Sequence, residues 1–319
     1  IANFVSEPYW GRATIYRDTQ FTATSGKFTS KEEGEKAFST IAGKPFTVTD
    51  VSKKKGNEAP PHLYDLTSLQ VDCNKKFAYS ADITLKLIQS LYEKKYTTYP
   101  RVDTQFLTDD NYPKCPQILN GVSQAKIMSQ QKYLPLIQQL ATISKKLPKS
   151  KKVFDNSKVT DHHAIIPTSE FVKQGFTGLA ESECKLMNLV CSKLLCAVAA
   201  PHEYETVTAV FSCAGNEFTA KGKTVLVPGW KEIDQRFRAT LKADTEEEVL
   251  NALPELAEGQ NFSVTTDISE HFTSPPKAYT EDTLLSAMKR AGAEDMPEEA
   301  ERKGLGTPAT RAAILEKLV

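Results

Sequence analysis

The most informative segment of the chain occupies residues 96–104 and reads Tyr96-Thr97-Thr98-Tyr99-Pro100-Arg101-Val102-Asp103-Thr104. It follows a predicted helix, and Pro100 restricts the residue before it to an extended backbone, so we expect Tyr99 to be held in a fixed direction on a loop. Two positions on, the planar guanidinium of Arg101 suits a phosphate, and Asp103 is placed to hold that guanidinium. By residue type alone, an exposed loop with an aromatic tip and an Arg–Asp ion pair fits equally well.

The hydroxyl of Tyr99 is a candidate nucleophile. Phenols are almost entirely protonated at neutral pH, so attack on phosphorus needs a cation or a base nearby. Arg101 is placed to supply that charge. Its larger effect is expected in the transition state, where negative charge builds on the non-bridging oxygens.

A second segment of interest lies at residues 159–168 and reads Val159-Thr160-Asp161-His162-His163-Ala164-Ile165-Ile166-Pro167-Thr168. Histidines change charge near neutral pH, and they also bind metals. Side chains that are adjacent in sequence rarely point at one ion. A metal site at His162 and His163 is therefore a weaker interpretation than a role in proton or charge transfer.

A third segment, at residues 304–314, predicts the start of a helix. It reads Gly304-Leu305-Gly306-Thr307-Pro308-Ala309-Thr310-Arg311-Ala312-Ala313-Ile314. Thr307 fits the N-cap, Pro308 fits the first helical position, and the glycines allow the backbone to approach a ligand closely. With Thr310 and Arg311 in the first turn, the pattern favours a phosphate site, although a capped helix without a ligand remains an alternative.

Patterning along the chain predicts an α+β protein with several domains. Short β-like runs occupy residues 1–60, and a period of two returns over residues 202–270. Helical patterning covers residues 61–201, with a helix capped by Ser80 and others at 122–146 and 181–199, and it resumes at Thr280. We therefore expect a β-rich domain interrupted by an inserted, mainly helical domain, followed by a helical segment at 271–319.

Composition sets limits on the function. Forty Lys+Arg residues against forty Asp+Glu residues give a net charge of zero, so a nucleic-acid surface would have to be a local groove of cations. The six cysteines form no Cys-x-x-Cys pair, and we expect them to be reduced. Neither a long apolar run nor a signal-peptide pattern is visible, which predicts a cytoplasmic protein without a membrane segment.

Taken together, the three segments resemble the signatures of type IA DNA topoisomerases of the topoisomerase III kind. Residues 99–103 are similar to the family's Tyr-Pro-Arg-Thr/Ser-Asp signature, with Val102 in place of the small hydroxyl residue. Residues 161–168 resemble its Asp-His-His-Ala-Ile-Ile-Pro-Thr run, and residues 304–312 its Gly-Leu-Gly-Thr-Pro-Ala-Thr-Arg-Ala block. Shorter matches follow the family's order at residues 3–10, 66–70 and 275–285.

The resemblance implies roles for individual residues. Tyr99 would attack a DNA backbone phosphate and form a 5′-phosphotyrosine bond, with Arg101 and His162 as its catalytic partners. The resemblance and the residue patterns together give the following candidates for DNA binding: Asp103, Thr67, Ser68, Gln70, His163, Thr307, Thr310 and Arg311.

The resemblance also implies a fold. Type IA enzymes form a torus, of which this chain would supply the β-rich arch at 1–60 and 202–270. Residues 61–201 would be the domain that carries the catalytic tyrosine, and residues 271–319 would start a helical DNA-binding domain.

Magnesium in the family is bound by an N-terminal TOPRIM domain with an Asp-x-Asp motif, which does not occur here. We therefore expect no metal site in this chain. Because the chain opens at Ile1 and stops at Val319 inside a predicted helix, we expect a piece of a longer protein. Without the TOPRIM domain, this piece is expected to bind DNA without cleaving it.

The expected partner is single-stranded DNA, with a helicase as a further candidate, no membrane, and a monomeric state. Two other classes of enzyme also join tyrosine to DNA, the relaxases and the tyrosine recombinases. Their histidine patterns do not match this sequence, in which His162 and His163 are adjacent. A non-catalytic scaffold that binds single-stranded DNA on aromatic side chains between cations is the alternative function.

Overall fold

The computed structural model describes residues 3–16, 19–23, 28–124, 147, 149–240, 252–263, 265–292 and 304–317. The chain divides into two compact units. The first, called the sheet unit here, combines Ile1–Glu58, His202–Pro228 and Thr245–Ala278. The second, the helical unit, combines Ala59–Pro201, Gly229–Asp244 and Tyr279–Val319.

The sheet unit contains an antiparallel sheet whose strands, in the described residues, lie in the order β6-β3-β4-β5-β2-β1-β7. The strands are β1 Pro8–Tyr16, β2 Thr19–Ala23, β3 Phe46–Glu58, β4 His202–Cys213, β5 Asn216–Val227, β6 Asn261–Phe262 and β7 Thr265–Phe272. Helix α1 spans Lys31–Ser39 and begins where the Ser30 side chain accepts a hydrogen bond from the Glu33 amide.

Alternation along β4 buries one face of the sheet, as the period of two predicted. Ala209 and Phe211 are buried, and across the β4–β5 pair they face Ala220 and Phe218, which are buried as well. The tight turn that joins these strands holds Ala214 and Gly215 at φ +48° and +78°. Positive φ at two central residues matches the right-handed twist of a hairpin.

The helical unit contains the remaining helices of the described residues. They are α2 Leu66–Phe77, α3 Ala81–Glu93, α4 Cys115–Gln124, α5 Ser169–Gln174, α6 Glu181–Ala197, α7 Trp230–Thr240, α8 Glu281–Arg290 and α9 Pro308–Glu316. Short 3₁₀ turns cover Asp109–Lys114 and Asn156–Lys158. The predicted N-cap of α3 is confirmed, since the Ser80 side chain accepts from the Ile83 amide. The predicted helix at 122–146 lies mostly outside the described residues.

Helix α7 corrects the predicted β pattern of residues 202–270. Its buried residues Ile233 and Phe237 are four positions apart and pack in the core of the helical unit. That spacing places both side chains on one helical face. The strand prediction was therefore wrong for residues 230–240.

Helices α8 and α9 belong to the helical unit. A small cluster of buried residues joins them to α3: Ala81, Leu285, Met288, Ala312 and Leu315. Our prediction placed residues 271–319 in a further domain, whereas Tyr279–Val319 falls in the same compact unit as Ala59–Pro201. The other predicted domain borders stay predictions.

All six cysteines are free thiols in the structure. Cys191 and Cys196 line the buried face of α6, whereas Cys184 is half-buried. Burial raises the pKa of Cys196 to about 12, which keeps this thiol protonated and unreactive. In the part of the chain that the structure describes, no helix is both long and apolar enough to cross a membrane.

The packing of α4 on α5 depends on Gly121. A Cβ atom added to Gly121 would lie 2.1 Å from Cγ1 of Val172, so the two helices approach too closely for a side chain. We expect Gly121→Ala to lower the free energy of unfolding by about 1 kcal/mol, because overpacking outweighs the better helix propensity of alanine. Denaturant titration measures this change.

Gly34 of α1 is the matched control. A Cβ atom there would lie 3.5 Å from Cβ of Trp10, an ordinary contact. Gly34→Ala should therefore leave the free energy of unfolding unchanged or raise it by up to about 1 kcal/mol. A Gly121→Ala protein as stable as the parent chain would contradict the close approach.

Candidate active site

Backbone pairing joins the tyrosine segment to the histidine segment. The Thr98 amide donates to the Ile166 carbonyl over 3.1 Å, and Thr97 forms a β-bridge with Pro167. The Thr98 hydroxyl donates to the Ala164 carbonyl over 3.1 Å and accepts from the Ile166 amide over 3.0 Å. Two segments 68 positions apart in sequence are thereby fixed side by side.

This pairing brings the Tyr99 and His162 rings together. Their centroids lie 4.4 Å apart with 38° between the ring planes. Tyr99 also makes an edge-to-face contact with Tyr92, from the last turn of α3, at a centroid distance of 5.5 Å. Tyr99 is half-buried and His162 is exposed, so one face of this ring pair is open to solvent.

Arg101 and Asp103 do not form the ion pair that the sequence suggested. Both side chains are exposed, and no salt bridge joins them within the residues that the structure describes. Burial lowers the pKa of Arg311, and the negative charge of Asp103 is one of the two that oppose this effect. Arg101 is thus open to solvent two positions from Tyr99.

The burial of Val102 explains why an apolar residue fits this position of the signature. It is 3% exposed and belongs to the core of the helical unit. Its carbonyl accepts from the Leu66 amide over 3.1 Å, which ties the tyrosine segment to the start of α2. The side chain at position 102 is therefore an anchor in the core.

His163 is half-buried and differs from its neighbour. Nδ1 of His163 lies 2.9 Å from the Ala164 carbonyl oxygen, and burial lowers the pKa of this imidazole. The ring is therefore neutral at neutral pH and adds no fixed charge to a phosphate site. Among the described residues, no group of three or more His, Cys, Asp or Glu side chains could hold a metal ion.

The helix start at Thr307 is confirmed. Thr307 is the N-cap, its side chain accepts from the Thr310 amide over 3.3 Å, and Pro308 begins α9. Gly304 does approach other backbone closely, but that backbone belongs to the protein: an added Cβ would lie 2.4 Å from the Met288 carbonyl oxygen. The close approach that we expected toward a ligand is made to the C-terminal end of α8.

Arg311 is buried rather than presented to solvent. It is 3% exposed, and its guanidinium donates to the Thr67 hydroxyl over 2.8 Å and to the carbonyls of Leu305 and Gly306 over 2.8 and 2.9 Å. Burial lowers the pKa of Arg311, and nearby carboxylates oppose this effect. The donors of Arg311 that were expected to bind phosphate are used inside the protein, whereas Thr307 and Thr310 are exposed.

The candidates at the start of α2 are also largely inaccessible. Thr67 and Gln70 are 1% and 0% exposed, and the Gln70 amide donates to the Ala81 carbonyl over 3.0 Å. Ser68 is half-buried, and its hydroxyl accepts a hydrogen bond from the side-chain amide of Gln105 over 3.2 Å. Direct contact between DNA and Thr67 or Gln70 is therefore unavailable in this structure, and both side chains form hydrogen bonds inside the protein.

Two residues of this region were missed in the sequence. Asp65 is the N-cap of α2 and accepts from the Ser68 amide over 2.7 Å, and it is paired with Lys289 of α8. The capping box was a local signal that could have been recognised. The ion pair could not, because Lys289 lies 224 positions away.

A family model described as DNA topoisomerase matches residues 1–319. The chain belongs to the DNA topoisomerase family. It is 40% identical to DNA topoisomerase 3 of Bacillus licheniformis and 35% identical to DNA topoisomerase 3 of Bacillus subtilis, covering 100% of this chain and 44% of each relative. These matches confirm the resemblance to topoisomerases of type IA, and the chain spans less than half the length of these relatives.

A solved structure, full-length topoisomerase I from Thermotoga maritima, is similar in fold. The TM-score is 0.70 at 20% sequence identity, covering 100% of this chain and 48% of that one. At this identity the likeness concerns the fold alone. It confirms the predicted α+β fold class of a type IA topoisomerase segment.

The Thr98 hydroxyl should be essential to the pairing of the two segments. Thr98→Val removes both of its hydrogen bonds and leaves the buried Ile166 amide without a partner, at an expected cost of about 1–3 kcal/mol in the free energy of unfolding. Thr98→Ser keeps the hydroxyl and is the control. Equal stabilities of the valine and serine variants in denaturant would contradict the importance of this contact.

Proposed function

We propose that this chain carries the strand-cleaving tyrosine of a type IA DNA topoisomerase. The observation that carries the proposal is the pairing of the Tyr99 and His162 rings at 4.4 Å, with exposed Arg101 two positions on. A phenol beside an imidazole, with an exposed guanidinium two positions along the chain, supplies the kinds of groups that phosphoryl transfer to tyrosine requires.

The proposed reaction exchanges one phosphodiester for another. The Tyr99 oxygen attacks a backbone phosphorus of single-stranded DNA, and the bond from phosphorus to the 3′ oxygen of the preceding deoxyribose breaks. The phenol loses its proton and the departing oxygen gains one, giving a 5′-phosphotyrosine and a free 3′-hydroxyl. Resealing is the reverse attack, and it needs no ATP because the phosphodiester energy is kept in the tyrosine bond.

Arg101 and His162 have different parts in this reaction. The guanidinium of Arg101 would stabilise the charge that builds on the non-bridging oxygens. His162 lies against the phenol ring and is exposed, and we propose that its imidazole takes the phenol proton or donates to the phosphate once DNA is bound. Asp103, Thr307 and Thr310 are exposed and remain candidates for DNA contacts, with Ser68 and His163 partly accessible.

Magnesium has no step in the chemistry assigned to this chain. The described residues hold no group of three or more His, Cys, Asp or Glu side chains that could bind it. We propose that a TOPRIM domain supplies the metal, and that this chain alone binds single-stranded DNA without cutting it. In the whole protein, cleavage would open a gate for the passage of a second strand.

The wider setting is also a proposal. The relatives that the chain resembles are named DNA topoisomerase 3, which supports DNA as the partner, and we propose single-stranded DNA. A DNA-associated location in the cytoplasm, a monomeric state and cooperation with a helicase are consistent with that function.

A non-catalytic DNA-binding scaffold is the second candidate. The observation that favours it is the same lack of a carboxylate cluster in the described residues. Such a scaffold would bind single strands on aromatic and cationic side chains and would never form a covalent bond to them.

Covalent capture separates the two functions. The chain is mixed with a TOPRIM domain in trans, magnesium and a labelled single-stranded oligonucleotide, and the denatured products are separated by size. We expect a covalent adduct with the parent chain and none with Tyr99→Phe, which keeps the ring but lacks the nucleophilic oxygen. Tyr92→Phe is the matched control, because it changes the neighbouring tyrosine that contacts Tyr99 by its edge. An adduct that survives in Tyr99→Phe would exclude residue 99 as the nucleophile.

The chain alone should not change DNA topology. With magnesium and negatively supercoiled plasmid but no added TOPRIM domain, we expect single-strand binding in a gel shift and no relaxation. Relaxation by the purified chain would refute the proposal that the metal-binding half of the site lies elsewhere.

A further inference from the structure

The first turn of α2 is a junction between the tyrosine segment and the C-terminal helices. On one side, the backbone amide of Leu66 donates to the Val102 carbonyl over 3.1 Å, and the side-chain amide of Gln105 donates to the Ser68 hydroxyl over 3.2 Å. These contacts lie on either side of Asp103. The position of this turn therefore sets the position of the chain that follows Tyr99.

From the other side, α8 and α9 hold the same turn. Arg311 of α9 donates from Nη1 to the Thr67 hydroxyl over 2.8 Å, and Lys289 of α8 pairs with the N-cap Asp65. Thr67 and Asp65 are both 1% exposed, so these contacts form inside the helical unit. Polar contacts that are shielded from water are geometrically demanding, because an unpaired buried group is costly.

Arg311 also fixes the loop that precedes α9. Its Nε donates to the Leu305 carbonyl over 2.8 Å, and Nη2 donates to the Gly306 carbonyl over 2.9 Å. One planar guanidinium thus joins the 304–306 loop to α2, and Asp103 lies close enough for its charge to act on that guanidinium. Lysine offers a single point charge and cannot make the same set of directed bonds.

We infer that Arg311 is a positioning residue for Tyr99, acting through Thr67 and the first turn of α2 on the tyrosine segment. This inference rests on the proposed function for its catalytic consequence. It gives Arg311 a role that differs from phosphate binding, because a side chain that is 3% exposed is held by the protein itself. It also gives the C-terminal helices an indirect effect on the cleavage site, because their hydrogen bond and ion pair reach the first turn of α2 and not Tyr99 itself.

Fluorine NMR tests the structural part independently of activity. The chain is labelled with 3-fluorotyrosine, and the Tyr99 signal among the 11 tyrosines is assigned from its loss in Tyr99→Phe. We expect Arg311→Ala to shift or broaden the Tyr99 signal, and added guanidinium at low, non-denaturing concentration to restore it. Thr67→Val removes only the hydroxyl acceptor and should shift the same signal. It replaces Arg311→Ala as the test if the latter variant does not fold.

Arg290→Ala is the matched control. Arg290 is an exposed arginine of α8 whose Nε donates to the Ser286 carbonyl of its own helix. Its replacement should leave the Tyr99 signal in place. Circular dichroism of each variant checks that the fold is retained.

Covalent capture tests the catalytic part. Because a small misplacement of reacting groups slows a reaction strongly, Arg311→Ala and Thr67→Val should form the adduct about 10- to 100-fold more slowly at saturating DNA. The concentration of oligonucleotide at half-saturation should change little, and Arg311→Lys should not restore the rate.

The outcomes are distinguishable. A Tyr99 signal that stays unchanged in both folded variants, or an adduct rate equal to that of the parent chain, overturns the inference. A loss of DNA affinity without a change in the saturated rate also overturns it and returns Arg311 to phosphate binding. If the parent chain forms no adduct while the Tyr99 signal still responds to Arg311, the proposed function fails and the positioning of Tyr99 stands.

Discussion

The pairing of residues 97–98 with residues 164–167 is the constraint on which the site depends. Tyr99 and His162 lie on loops, and loops fix side chains poorly unless their backbone is bonded to something rigid. Here Thr98 provides that bonding through its amide and its hydroxyl, and the buried side chains of Ile165 and Ile166 anchor the partner segment in the core. The ring contact at 4.4 Å follows from this backbone arrangement.

Charge around the site is distributed unevenly, although the chain as a whole is neutral. Burying Arg311 is tolerated because three carbonyl or hydroxyl oxygens accept from it and two carboxylates, Asp65 and Asp103, lie near it. Asp103 lies close enough for its charge to act on Arg311, and no salt bridge among the described residues joins it to Arg101. A buried arginine in one segment thus leaves an exposed arginine of another segment available for a phosphate.

Local signals in the sequence predicted local structure well. The N-caps Ser80 and Thr307, Pro308 at the start of α9 and the alternation in β4 each involve residues within a few positions of one another. The contacts that organise the site lie outside the range of such signals: Arg311 and Thr67 are 244 positions apart. The resemblance and the local residue patterns therefore suggested that Arg311 and Gln70 would face DNA, and only packing shows that both are buried. The missed helix α7 had a local signal, the spacing of Ile233 and Phe237, which the expected β pattern obscured.

Val102 illustrates how a family signature can combine two physical requirements. Tyr99 and Arg101 are at least partly accessible, as chemistry at a phosphate requires, whereas the residue between Arg101 and Asp103 is buried and bonded through its carbonyl to α2. Burial alternates here, with Val102 buried between the exposed residues Arg101 and Asp103. An apolar residue at that position gains burial in the core, and the hydrogen bond that its carbonyl accepts from α2 holds the segment that carries Tyr99 and Arg101. The departure at Val102 is therefore compatible with the proposed chemistry: Tyr99 and Arg101 stay at least partly accessible, and the anchor between Arg101 and Asp103 lies in the core.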